Sequence, residues 1–278
     1  MRELLFQITL LGYLAASCSY LMHIASGRNR PARIGSRLLR GSFVLLSLAL
    51  VASLLPMATT PASRPYLPLS FLAWSVTGIF LWFEGRHRLT VLGAFLAPLS
   101  LLLLVFSGAL LRRGDGLQPL FESSWFPLHV GLVVLGYAFF ALAFIAGVMY
   151  LLQERMLKNK HLSALFFRLP SLDSLDLVNH RCLAWGFPLM TLGIITGAAW
   201  THAAWGRYWR WNPKETWALI SWLVYAVLLH GRLAIGWRGR RAALLAILGF
   251  LCLILAVLGV NLLASELSDT ALRAAVKR

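Results

Sequence analysis

Residues 200–222 read WTHAAWGRYWRWNPKETWALISW. Six of the chain's eleven Trp fall in this stretch, interleaved with His202, Arg207, Arg210 and Lys214. Apolar sequence precedes and follows it, so the stretch reads as a loop at a membrane boundary. Asn212-Pro213-Lys214-Glu215 is a helix start on physical grounds: Asn caps, Pro fits the first helical position, and Glu stands at the capping-box position. A headgroup-level aromatic belt accounts for about two or three Trp. It does not account for Trp205, Trp209 and Trp211 within seven residues of one another, beside Arg207 and Arg210. Stacking indoles beside guanidinium groups suit a large planar ligand that carries carboxylates.

Outward from this loop the chain is apolar. Of its 278 residues, 59% are hydrophobic and 13% charged, with a mean hydropathy of +0.73. A soluble domain rarely has so few charges. About 20 apolar residues cross a bilayer as a helix, and eight such spans are predicted: 4–25, 38–55, 68–84, 90–111, 127–152, 183–200, 216–236 and 243–264. The expected fold class is therefore all-α, a polytopic transmembrane helical bundle. Residues 1–25 lack a strong basic start and a small-x-small cleavage pattern, so they read as a retained first span. Pro98 and Pro188 lie within spans and are expected to kink them. Gly131, Gly136 and Gly147 in the fifth are expected to allow close helix packing. The loop 153–182 contains LPSLDSLD and has room for a short interfacial helix.

The net charge of +16 does not require nucleic acid, because basic loops belong on the cytoplasmic side of a membrane protein. Loops 26–37, 85–89, 153–182 and 231–242, with Arg40, carry 16 of the 26 Lys and Arg. The positive-inside rule places these loops in the cytoplasm and both termini, with the Trp-rich loop, outside. Arg207, Arg210 and Lys214 then stay outside against the rule, which fits an anionic ligand.

Cys18, Cys182 and Cys252 form neither a C-x-x-C nor a C-x-x-C-H pattern. The chain is thus no c-type cytochrome and carries no thiol-redox motif. No P-loop, dinucleotide fingerprint or nucleophile–base pairing is present, and no catalytic residue is assigned. Seven His remain. His129 and His202 fall on the outer side; His23 and His230 lie near the inner ends of spans one and seven; His87, His161 and His180 fall in cytoplasmic loops. Neutral imidazole is a common axial ligand to heme iron, and any one of these His alone reads more simply as an interfacial side chain. Two matched pairs at two depths point further, to metal-ligating roles for His129, His202, His23 and His230.

The run WGRYWRWNPKETWALISWLVYAVLLH resembles the signature of the cytochrome c assembly family, the CcsA/CcmC group with HemX-like members, whose hallmark has the form WGxxWxWDPKE. The resemblance continues through 123–138, 186–200, 236–241 and 258–263, and divides the chain into an N-terminal four-span region, 1–111, and an assembly domain, 112–278. It implies a heme-handling membrane protein of the bacterial-type inner (plasma) membrane, with the Trp-rich loop on the periplasmic side. It implies that Trp205, Trp209, Trp211 and Trp217, with Arg207 and Arg210, cradle heme b, as bound cofactor or transported substrate. His129 matches the outer His before the loop and His230 the embedded inner His; His23 is placed by depth alone. Heme would be presented for attachment to apocytochrome c, alongside a membrane partner of the assembly system, as in a cytochrome c heme lyase (synthetase) complex. The alternative is a HemX-like role, regulating or stabilising a heme-biosynthesis enzyme. A membrane scaffold anchored by its Trp loop ranks last, since it needs neither the outer cations nor the His.

Two positions depart from the family pattern. Asn212 replaces its Asp, which matters little if the residue is a helix cap. The family's further outer His after the last span is missing, since the chain ends VNLLASELSDTALR and on with no His after His230. His202 is the candidate to replace it.

Overall fold

The computed structural model describes residues 2–54, 67–87, 89–113, 125–160 and 166–255. They form a bundle of helices: α1 (Arg2–Ser26), α2 (Asn29–Leu54), α3 (Leu67–His87), α4 (Gly93–Arg113), α5 (Trp125–Lys158), α6 (Leu172–Trp205) and α7 (Pro213–His230). A 3₁₀ turn, Thr90–Leu92, leads into α4, and a π-helical turn, Gly231–Ile235, follows α7. An eighth helix, α8, occupies 240–255; the rest of the eighth expected span, 256–264, lies outside the described residues. No strand occurs among the described residues. Among the described residues seven helices, α1 to α7, are long and apolar enough to cross a membrane, with Thr90–Leu92 joined to α4 and the π turn to α7. Large apolar side chains such as Leu11, Val44, Val51 and Phe106 are exposed on their outer faces, as expected where lipid replaces water.

In the first half the helices are locked by polar side chains seven residues apart. Tyr13 and Tyr20 of α1 face Thr77 and Glu84 of α3, and Ser70 and Thr77 face Ser107 and Ser100 of α4. The Tyr13 hydroxyl donates to Thr77 Oγ1 at 3.0 Å, and Ser70 and Ser107 share a hydrogen bond of 2.6 Å. Glu84 is nearly buried and fully engaged: it accepts from Tyr20 at 2.8 Å and Ser36 at 2.7 Å, with the Arg40 guanidinium 3.8 Å away. A carboxyl group buried to this extent is tolerated only when its oxygens are hydrogen-bonded or paired. Two turns of helix separate each layer, so a single face of each helix carries all of them.

In the second half α5 and α6 form the most extensive helix pair, and α5 is the most enclosed span. Their backbones approach at glycine. A Cβ on Gly136 would lie 3.3 Å from the Met190 nitrogen, one on Gly186 2.8 Å from the Phe140 ring, and one on Gly193 2.6 Å from Val133 Cγ2. Gly147 likewise admits α8, since a Cβ there would lie 3.1 Å from the Ala243 carbonyl oxygen. Gly131 does not take the expected packing role, as nothing lies within 4 Å of a Cβ built there.

Both helices outrun the hydrophobic stretches that announce them. At 34 residues each, they span about 51 Å, against a hydrocarbon core of about 30 Å. The segment expected as a cytoplasmic loop from 153 to 182 is therefore mostly helix. α6 begins at Leu172 because Ser171 accepts from the Ser174 N–H and Asp173 sits in the first turn. The LPSLDSLD segment is the start of α6, not a separate interfacial helix. At this end Arg232, on the π turn, is almost fully buried. It pairs with Asp176 at 2.8 Å and donates to Asn179 at 2.8 Å. Asp176 also accepts from the Gly239 N–H.

Candidate functional site

A cavity of about 510 Å³ opens where the N-termini of α3, α5 and α7 meet the C-terminus of α6. That volume lies within the range of small-molecule and cofactor clefts. Its floor and sides are apolar, built from Val133, Val134, Met190 and Ile194 with the Tyr137 ring. Its polar groups are His129 of α5, Thr201 of α6, Arg210 and Asn212 of the α6–α7 loop, and Lys214 and Glu215 of α7. Trp200, Trp205, Tyr208 and Trp209 complete the wall.

The loop that covers the cavity is fixed at both ends by local chemistry. Gly206 terminates α6 in the left-handed conformation (φ +70°), with its N–H donating to the His202 carbonyl at 2.8 Å. At the other end Asn212 caps α7 as its sequence requires: its Oδ1 accepts from the Glu215 N–H at 2.8 Å. Glu215 returns the interaction, accepting from Asn212 Nδ2 at 2.9 Å and from the Arg210 backbone N–H at 2.7 Å. Between them Trp211 is forced to φ +54°, which costs a bulky residue about 1–2 kcal/mol. The ring so presented is 70% exposed and meets Trp209 edge-on at 5.8 Å.

The aromatic wall is continuous. Phe126 contacts Trp200 at 5.1 Å between ring centroids, Trp200 meets Trp205 edge-on at 5.2 Å, and the Arg210 guanidinium lies 4.8 Å from the Trp205 ring centre. Trp209 carries a buried indole N–H with no acceptor among the described residues. An unmet buried donor is costly, and a carboxylate acceptor in the cavity would remove that cost.

His129 is the best-defined polar group of the site. Its Nδ1–H donates to the Gly193 carbonyl across the α5–α6 interface at 2.7 Å. This fixes the proton on Nδ1 and leaves Nε2 with a lone pair, the tautomer a metal ion requires. The Trp200 ring is near-parallel to the imidazole, 6.2 Å away.

The sequence-predicted residues divide accordingly. His129, Trp205, Trp209 and Arg210 are brought together on the cavity wall. His202 is not among the lining side chains. It lies in the last turn of α6, exposed, with its ring stacked on Tyr208 at 4.1 Å. Trp211 and Arg207 are exposed on the loop, and Trp217 is half-buried on α7 away from the lining. His23 and His230 stand at the opposite end of the bundle, at the C-termini of α1 and α7. α1 packs chiefly on α2 and α4, and α7 on α6, so the two His belong to different packing units. His23 Nδ1–H donates to the Arg28 carbonyl at 2.8 Å, and His230 is exposed just before the π turn. His161 and the chain after 255 lie outside the described residues. Sequence reasoning missed Trp200, Phe126, Gly193 and Gly197. The available signal was the run of glycines at 186, 193 and 197, on one face of α6. Among the described residues there is no group of three or more His, Cys, Asp or Glu that could hold a metal ion.

The family model described as cytochrome C assembly protein matches residues 62–268, which takes in α3 and α4 as well as the second half. The chain is similar to the cytochrome c biogenesis protein CcsA of Pyropia yezoensis, 32% identical over 92% of this chain and 93% of that protein. It is also similar to CcsA of Guillardia theta, 37% identical over 74% of this chain and 75% of the relative. For CcsA of Synechococcus elongatus the figures are 35% identity, 74% and 78%.

Proposed function

The chain belongs to the cytochrome c assembly protein family, and on that footing we propose that it binds heme in the cavity beneath the Trp-rich loop and presents it for attachment to apocytochrome c. A role in cytochrome c biogenesis follows from the family. The observation that carries the heme reading is His129: an imidazole whose Nδ1–H is committed to a backbone carbonyl, on the wall of a cavity roofed by indoles and cations.

The residues present fit that group. His129 would supply an imidazole nitrogen to hold the group. Trp200, Trp205 and Trp209 would cover the ring, and Arg210, Lys214 and the Trp209 N–H would meet its carboxylates. Val133, Val134 and Ile194 exclude water from the apolar side. When bound, heme supplies the reactive vinyl groups; the thiols belong to the apocytochrome. This chain contributes position and a dry wall, and none of its own side chains is assigned an acid–base role. In this reading the loop and both termini lie on the outer side of the plasma membrane, and a membrane partner of the assembly system completes the heme lyase. His202 lies outside the cavity lining, so a ligand role for it would need a rearrangement of the last turn of α6. His23 and His230 are proposed as an inner heme station, and only a ligand between their helices would join them. The relatives' names weigh toward assembly and away from regulation of a heme-biosynthesis enzyme.

The test is the absorption spectrum of detergent-purified protein, oxidised and dithionite-reduced. Wild type is expected to show a Soret band and a reduced α-band that are lost or shifted in His129→Ala. Folded protein that takes up no heme, even when it is added, overturns the proposal.

A further inference from the structure

The buried face of α6 opposite His129 carries no side chain at two positions, and both meet the imidazole. Gly193 presents its carbonyl to Nδ1–H at 2.7 Å. Gly197, one turn on, leaves the space the ring occupies: a Cβ there would lie 2.7 Å from Cε1 and 2.8 Å from Nδ1. The imidazole cannot yield to such a Cβ as a lysine tip would. It is held by the hydrogen bond on one edge, and it faces Trp200. Thr196 acts on the same carbonyl. Its hydroxyl lies 2.8 Å from the Leu192 oxygen and 3.1 Å from the Gly193 oxygen, so it competes with His129 for that acceptor.

We propose that Gly193, Thr196 and Gly197 are positioning residues that set the tautomer, the orientation and the donor strength of the His129 imidazole toward a heme iron. This rests on the heme reading given above. A backbone carbonyl on the distal nitrogen of a ligating His fixes the ring and raises its basicity. A stronger imidazole donor favours ferric iron and lowers the midpoint potential. The two perturbations therefore have opposite signs. Gly197→Ala pushes the ring off the Gly193 carbonyl and raises the potential. Thr196→Val removes the competing hydroxyl, strengthens the His129 bond and lowers it. A purely structural role for this helix contact does not produce opposite shifts.

The experiment uses full-length protein in detergent, with heme, and measures spectra and midpoint potentials for wild type, Gly197→Ala, Thr196→Val, Gly131→Ala and His129→Ala. Gly131 lies on the same helix as His129 with open space beside it, and its variant is expected to match wild type. Gly197→Ala and Thr196→Val are expected to retain heme with potentials displaced in opposite directions. If both match wild type while His129→Ala is altered, positioning is overturned and the heme reading stands. If His129→Ala also matches wild type, His129 is no ligand and both fall. Should Gly197→Ala fail to fold, nitrogen-15 shifts of histidine-labelled heme-free wild type decide together with Thr196→Val: a proton on Nδ1 of His129 is expected, and one on Nε2 overturns the proposal.

Discussion

Asn212 and Glu215 hold each other in both directions: the Glu215 N–H donates to Asn212 Oδ1 at 2.8 Å, and Asn212 Nδ2 donates to the Glu215 carboxylate at 2.9 Å. The first bond is open to Asp as well as Asn. The second is open only to Asn, and it helps to hold the carboxylate that also accepts the Arg210 N–H. Asn212 is thus more than an equal substitute for the Asp of the family pattern.

Asn212→Asp is expected to set two carboxylates against each other at this point and to loosen the loop 206–212. Asn212→Ala is expected to lose the cap as well, at about 1 kcal/mol or more. Limited proteolysis at the loop, with thermal melting in detergent, measures both. Asp behaving like wild type in both assays would mean that the Nδ2 bond contributes nothing.

Trp209→Phe keeps an aromatic wall and removes the unpartnered indole N–H. If that donor meets a heme carboxylate, the loss is about 1.5–3 kcal/mol, or ~10–100-fold in heme affinity. The apo-protein is expected to be no less stable, since the donor has no acceptor among the described residues in the free state. Heme titration of the two proteins separates a binding role from a packing role.

Arg232 and Asp176 are a paired charge at the end of the bundle opposite the cavity, with side-chain exposures of 4% and 19%. Arg232→Met removes the counter-ion of Asp176 and leaves the Gly239 N–H as a donor to it, and a cost of up to about 3–5 kcal/mol is expected. Adding Asp176→Leu to it is expected to recover part of that loss. Detergent unfolding of the single and double variants gives the coupling, and a double variant no better than the single argues against the pair as its source.

Glu84→Gln retains shape but offers one acceptor oxygen where Tyr20 and Ser36 now use two. A destabilisation of about 1–3 kcal/mol is expected, with loosening of α1 against α3 read by hydrogen exchange near Tyr20. Exchange rates equal to wild type would remove Glu84 as the lock of the first half.

Gly186→Ala and Gly131→Ala are the same change in the two packed helices with opposite surroundings. At 186 the new methyl meets the Phe140 ring and is expected to cost about 1–3 kcal/mol. At 131 it meets nothing and is expected to stabilise by up to about 1 kcal/mol. Melting temperatures of the two variants test whether glycine sets the α5–α6 approach.

Much of the molecule is legible in one dimension. The long apolar runs dictate membrane-spanning helices, because a backbone in hydrocarbon must satisfy its own hydrogen bonds. Asn-Pro-Lys-Glu dictates where α7 starts, because a cap acts on groups three residues away. The interleaving of Trp with Arg dictates an aromatic, cationic loop. These are local or compositional properties. Where α5 and α6 end was not legible from hydropathy, since a helix continues past the bilayer wherever caps and neighbours allow, as at Ser171.

Only the tertiary structure decided which members of the loop face a common space. Trp205, Trp209 and Arg210 line the cavity while Trp211, next to the cap Asn212, points to the exterior, because a residue at φ +54° reverses the course of the chain. Only the packing of α5 on α6 brought His129 to Gly193 and Gly197, 64 and 68 residues away, and so chose the nitrogen that bears the proton. Sequence supplies the imidazole and the glycines; the distance between them is a property of two helices in contact, which no local pattern encodes.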